Sequence, residues 1–137
     1  MMDSVEFFSH YVQYKENKAF NSDKFEIIEK VKDDEEIIDV VSDNLKKRYV
    51  CLPKLSDFDI NSFDPNKWDR FFVITFFNDD NKSFLIKHFD LFSENNGLFF
   101  TFLDSNGKTK LNINPYLVKF SNFSDKPIKD LIERLIN

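Results

Sequence analysis

The stretch that most constrains the fold is residues 70–77, RFFVITFF, a run of bulky apolar and β-branched side chains without glycine or proline. Such a run is typical of a strand that is buried on both faces. We therefore expect it to lie inside a sheet whose two faces are both covered.

The chain after this strand alternates apolar runs with turns rich in Asn, Asp, Ser and Gly, so it predicts further strands. Asn106-Gly107 is the strongest local hairpin signal. Together with the central run, the predicted strands form a four-stranded antiparallel meander, in which 108–113 is an edge strand or a half-exposed strand. They cover residues 83–92, 98–103 and 108–113.

The predicted helices flank this meander. Helical spacing of apolar residues predicts helices over 3–20 and 23–32, and a third helix from the acids at 33–36 to the bases at 46–48. One long helix over 23–45, or a hairpin pairing 25–31 with 37–41, fits the same region, and the sequence leaves that choice open.

Two more features complete the predicted fold. The composition of residues 55–69 predicts an irregular segment whose large apolar groups attach it to the body of the domain. Residues 49–52 are predicted to form a short strand. Asn114 and Pro115 predict the start of a short helix, and the apolar stripe from Ile128 to Ile136 a C-terminal amphipathic helix. The expected fold class is α+β, in a single globular domain over 1–137.

Charge and composition exclude several classes of function. The net charge is −5, and residues 1–69 carry 16 acids and 10 bases, whereas 70–137 carry 8 and 9. This balance argues against nucleic-acid binding, which needs a basic surface. The sequence contains no apolar run long enough for a membrane span and no leader pattern. A single cysteine, Cys51, fits a reducing compartment, so we expect a cytoplasmic protein.

Candidate catalytic and metal-binding residues are few. His10, His88 and Cys51 show no metal-ligand spacing, and no glycine-rich phosphate loop is present. Asp57, Asp59 and Asn61 are spaced like the first ligands of a calcium loop, but the required glycine and glutamate are missing. We therefore expect no metal, no cofactor and no enzymatic activity; a small enzyme using His88 or His10 is the least favoured interpretation.

Concentrated acidic charge favours a protein-binding function, because such charge steers association with a basic partner. The expected function is an inhibitor of the immunity, antitoxin or phage counter-defence kind that blocks a basic partner such as a nuclease toxin. The alternative is a secretion-type chaperone that binds an effector through apolar surface. The sequence also leaves a homodimer open. The predicted partner-binding residues are Asp33, Asp34, Glu35, Glu36, Asp39, Asp43, Asp57, Asp59, Asp64, Phe63 and Trp68.

Overall fold

A computed structural model describes residues 26–27, 36–42, 44–121 and 127–136 of the chain. These residues form a mixed α+β fold around one sheet, in which the strands lie side by side in chain order. The first strand has only two residues. The six strands are β1 (Glu26–Ile27), β2 (Glu36–Ser42), β3 (Leu45–Cys51), β4 (Arg70–Phe76), β5 (Leu98–Leu103) and β6 (Thr109–Ile113).

Strand β4 occupies the interior of the sheet, as the sequence predicts for 70–77. It pairs in parallel with β3 on one side and with β5 on the other. Phe71 and Val73 contribute to one core and Ile74 to another, and all three are at most 1% exposed. Burial on both faces is the expected environment of a parallel strand with continuous apolar sequence.

The predicted antiparallel meander is wrong, because only the outer pairs of the sheet are antiparallel. Strands β1, β2 and β3 pair in this way on one side, and β5 pairs with β6 on the other. The two central pairs are parallel and therefore need crossover connections, which no hairpin turn can supply.

The predicted helix over 33–48 is also wrong, since residues 36–42 and 45–51 pair as the antiparallel strands β2 and β3. The alternative prediction of a hairpin in this region is partly confirmed: Ile27 of β1 pairs with Val40 of β2. The buried residues Ile38 and Val40 alternate along β2 on one face, which is the period of a strand. The predicted helix over 23–32 is wrong at residues 26–27, which form a strand. The other residues of that helix, and the predicted helix over 3–20, lie outside the described residues.

Residues 83–92, predicted as a strand, instead belong to two helices, α1 (Asp79–Lys87) and α2 (Phe89–Phe92). Asn78 caps α1, and its side chain accepts a hydrogen bond from the Asn81 N–H at 2.8 Å. Leu85, Phe89 and Phe92 are buried at spacings of four and three, which is the period of a helix. These helices form the crossover between the parallel strands β4 and β5.

The remaining helices are α3 (Pro115–Phe120) and α4 (Ile128–Leu135). Asn114 caps α3 and Pro115 lies in its first turn, as predicted. The predicted C-terminal helix is confirmed as α4, with Pro127 at its N-cap and Ile132 buried. The predicted Asn-Gly turn precedes β6, where Gly107 adopts a φ of 82° that favours glycine, and β6 lies at the sheet edge as expected.

Two apolar clusters line opposite faces of the sheet. The larger joins strand residues such as Val73 and Phe100 to Leu85 of α1, Phe92 of α2 and Ile132 of α4. Every helical side chain that the structure places in a core cluster belongs to this one. The smaller cluster is built from strand residues, namely Ile38, Val40, Tyr49, Cys51, Ile74 and Leu103 with Phe72 and Phe76.

Candidate protein-binding surfaces

The crossover between β3 and β4, residues 53–69, presents acids to solvent from a firmly anchored backbone; we call it the crossover segment. It contains two 3₁₀ turns, Leu55–Asp57 and Ile60–Ser62. Its large apolar side chains alternate with exposed polar ones, and four of them are buried in the larger core: Leu55, Phe58, Phe63 and Trp68. The prediction of an irregular but pinned segment is confirmed.

Four exposed aspartates lie on this segment. Asp69 accepts a hydrogen bond from the Lys46 N–H at 2.7 Å, and we call the other three, Asp57, Asp59 and Asp64, the crossover acids. Asp59 accepts a hydrogen bond from the Asn61 N–H at 2.9 Å, and Asp64 accepts one from the Asn66 N–H at 2.9 Å. Each of these bonds orients an exposed carboxylate locally. Across the described chain, no ion pair engages any crossover acid.

Acidic charge continues from the crossover segment onto the start of α1. Asp79 and Asp80 are exposed there, and the first 3₁₀ turn packs against this helix through the Leu55 N–H bond to Asn81 Oδ1 at 2.9 Å. Residues 53–69 include four acidic and two basic residues. The crossover segment therefore carries a net negative charge.

Phe63 and Trp68, predicted as an apolar anchor for a partner, are core residues in the structure, each 8% exposed. The Trp68 ring lies under the Arg48 guanidinium, with Cζ 4.4 Å from the ring centroid. Arg48 also makes a bidentate ion pair with Asp39, at 2.7 and 2.8 Å. These contacts hold the crossover segment against the β2–β3 hairpin, and they explain how an acid on β2 can be buried.

The predicted acids of the hairpin region divide into three groups. Asp39 is 3% exposed and paired, so it presents no charge to a partner in this conformation. Glu36 lies on β2, and only its backbone is described. The other predicted acids of this region, Asp33, Asp34, Glu35 and Asp43, lie outside the described residues, as does His10.

A buried amide, Asn81, fixes the crossover segment to the sheet. Its Nδ2 lies 3.1 Å from Pro53 O, 3.0 Å from Thr75 Oγ1 and 2.9 Å from Phe76 O, while its Oδ1 accepts from Leu55 N–H. Asn81 is 4% exposed. One side chain thus joins the ends of β3 and β4 to α1, and nothing in the sequence pattern predicts this role.

His88 and Cys51, two of the candidate catalytic residues, lie on opposite faces of the sheet. His88 is half-buried between α1 and α2, where its ring centroid lies 4.4 Å from that of Phe84. Cys51 belongs to the cluster on the other face. Among the described side chains no hydrogen bond reaches the His88 imidazole, and no three potential ligands converge on a metal position.

A surface pocket of about 410 Å³ opens beside the carboxyl ends of β3 and β4. Its lining includes Lys54, Ser56 and Asp80, and the saturated Asn81 amide closes part of its wall. Charges of both signs line this pocket, and its buried amide already has its partners within the protein, so no ligand chemistry is favoured.

An exposed apolar surface that sequence reasoning missed lies on α2 and α3; we call it the α2–α3 patch. Leu91, Leu117 and Phe120 are 43%, 53% and 73% exposed. The Tyr116 ring stacks on Phe120 with centroids 6.2 Å apart. Phe120 fits the helical spacing that predicts α3, but spacing alone does not show which side of a short helix faces the core.

Comparisons with protein-family models, with curated proteins and with solved structures found no match to this chain. None of the helices that the structure describes is both long and apolar enough to cross a lipid bilayer.

Proposed function

We propose that this protein binds another protein through the crossover acids and inhibits it, in the manner of an immunity protein, an antitoxin or a phage counter-defence protein. The partner presents a basic surface, such as the active-site cleft of a nuclease toxin. The interaction takes place in the cytoplasm of the producing cell. The observation that carries this proposal is that Asp57, Asp59 and Asp64 are exposed and outside any described ion pair.

The charge of this surface supports a basic partner. Carboxylates that lack an intramolecular cation keep their full field in solution, which attracts lysine and arginine and raises the rate of encounter. Asp80 at the start of α1 extends the same field. A nucleic acid would be repelled by this surface, since it needs cations to neutralise its phosphates.

The rigidity of the segment also supports recognition. Its aromatic side chains pack in the larger core, namely Phe58, Phe63 and Trp68. The Asn81 side chain holds its first turn by accepting a hydrogen bond from Leu55 N–H. Binding therefore needs little ordering of the backbone, and the entropic cost of association is reduced. An inhibitor that occludes a cleft benefits from such a preformed surface.

The decisive experiment compares two variants with the same change in net charge. The crossover variant carries Asp57→Asn, Asp59→Asn and Asp64→Asn. Asparagine keeps the side-chain oxygen that accepts the Asn61 and Asn66 N–H groups, so the turns are retained. The control variant carries Glu94→Gln, Asp130→Asn and Glu133→Gln, which are exposed acids outside the crossover segment.

Tagged wild type and both variants are used to capture partners from an extract of the producing cell, and the captured partner is purified for stopped-flow kinetics. We expect the crossover variant to associate about tenfold more slowly at low ionic strength, and the control to retain most of the wild-type rate. Added salt should slow the wild type more than the crossover variant. The proposal that the crossover acids bind the partner would be refuted if both variants captured the partner equally. An association rate that does not change with salt would refute it as well.

A further inference from the structure

The α2–α3 patch combines exposed apolar side chains with one charge of each sign. Leu91 lies on α2, and Leu117 and Phe120 lie on α3. Between the two helices, Lys119 Nζ of α3 donates to Asp90 Oδ1 of α2 at 3.1 Å. The two helices lie side by side, and both charges lie beside the apolar residues.

The charge pattern of the patch selects its occupant. A partner surface of one sign would attract one of the two charges and repel the other. A second copy of the same patch, rotated by a two-fold axis, can instead oppose each Asp90 to a Lys119 and each apolar group to another apolar group. We propose that the α2–α3 patch is the contact surface of a homodimer of this chain.

The cost of this rearrangement is small. The side chains of Asp90 and Lys119 are 88% and 55% exposed, so their ion pair within one copy contributes little to stability and is easily shared with a second copy. Phe120, at 73% exposed, is the largest apolar group available for burial. Because few apolar groups are involved, the dimer belongs to the weak and transient class.

The first test is sedimentation velocity of the full chain across micromolar to millimolar concentration. We expect a reversible shift from monomer to dimer in the wild type. Phe120→Ser should weaken self-association by at least about tenfold, because central aromatic residues dominate small interfaces. The control is Leu135→Ser on α4, which removes another exposed apolar side chain outside the patch; Leu117→Ser serves as a second patch variant if Phe120→Ser does not fold.

The second test reverses one charge at a time. In a two-fold dimer, Asp90→Lys opposes lysine to lysine and Lys119→Asp opposes aspartate to aspartate, so each variant alone should remain monomeric. Mixed together, each lysine meets an aspartate at both ends of the interface, and a heterodimer should form. If Asp90 and Lys119 interact only within one copy of the chain, mixing the two variants should produce no heterodimer.

Three results would overturn the proposal. They are a monomer at every concentration, a dimer equally sensitive to Phe120→Ser and Leu135→Ser, and charge-reversed variants that fail to associate on mixing while the wild type dimerises. The test uses none of the crossover acids, so a failure here is independent of the proposed inhibitory function.

Discussion

Replacing the buried Asn81 by aspartate is the sharpest test of how the crossover segment is held. The Asn81 Nδ2 group has two hydrogens and faces three oxygen acceptors, from Pro53, Thr75 and Phe76. In Asn81→Asp a carboxylate oxygen takes its place. Only the Thr75 hydroxyl can turn a hydrogen toward the new oxygen, whereas both backbone carbonyls repel it.

The expected loss of stability in Asn81→Asp follows from the hydrogen bonds that are removed. Two donated hydrogen bonds, at about 1 kcal/mol each, together with a carboxylate enclosed among carbonyl oxygens, predict a loss of about 3 to 5 kcal/mol near neutral pH. Oxygen acceptors and burial both raise the pKa of the introduced carboxyl in the folded state. A group with a raised folded-state pKa is least costly when protonated, so the deficit relative to wild type should shrink as pH falls through that pKa.

Urea unfolding measures this effect, followed by far-UV circular dichroism and by the fluorescence of Trp68, the one tryptophan of the sequence. Wild type and variant are compared at about pH 7 and about pH 5, so that only the difference between them is interpreted. The matched control is Asn78→Asp at the N-cap of the same helix. Its side chain accepts the Asn81 N–H, a role that aspartate also performs at a helix N-terminus, so its stability should change by less than about 0.5 kcal/mol.

This prediction fails if Asn81→Asp is no less stable than Asn78→Asp near neutral pH. It also fails if the deficit grows as the pH falls. In the first case the amide network would contribute no net stability. In the second, the introduced carboxylate would have a favourable partner in the folded state rather than three acceptors.

Two further predictions concern the core and a turn. Ile74→Ala, at 1% exposed on the central strand, should cost about 2 to 5 kcal/mol in denaturant titration, while Val41→Ala, at 38% exposed, should cost under about 1 kcal/mol; equal losses would contradict the interior position of β4. The pKa of Asp104 lies below its ordinary value, chiefly because Lys108 N–H donates to the carboxylate, so an NMR titration should find it lowered. Any stability that this hydrogen bond supplies should disappear as the pH falls through that lowered pKa, and an ordinary pKa would show that the turn is open in solution.

Local sequence signals predict an element when they fit one kind of secondary structure and no other. The apolar run at 70–77, the Asn106-Gly107 turn, the Asn114 cap and the stripe of the last helix each belong to this group. Residues 83–92 fit either period when taken alone. The deciding signal lies before them, in the Asn78 cap and the two aspartates of the first turn of α1.

Tertiary pairing accounts for what local signals cannot predict. Asp39 belongs to an acidic run without a base in sequence, yet the hairpin register places it opposite Arg48. The role of Asn81 depends on two strand ends that are distant in sequence. The parallel direction of the β4–β5 pair is likewise missed when 83–92 is predicted as a strand, because only the helical crossover in that region brings β5 back parallel to β4.

The mixed sheet has a consequence for the order in which the chain folds. The β2–β3 and β5–β6 hairpins join strands that are adjacent in sequence, whereas β4 meets its neighbours only after residues 52–69 and 77–97 have closed as loops. Long loop closure is entropically costly, and non-local pairing is slow. We expect the outer hairpins to form first and the sheet to join at its middle last. Because the Trp68 ring is covered by Arg48 only when that joining occurs, its emission follows the late step of folding and not the initial collapse.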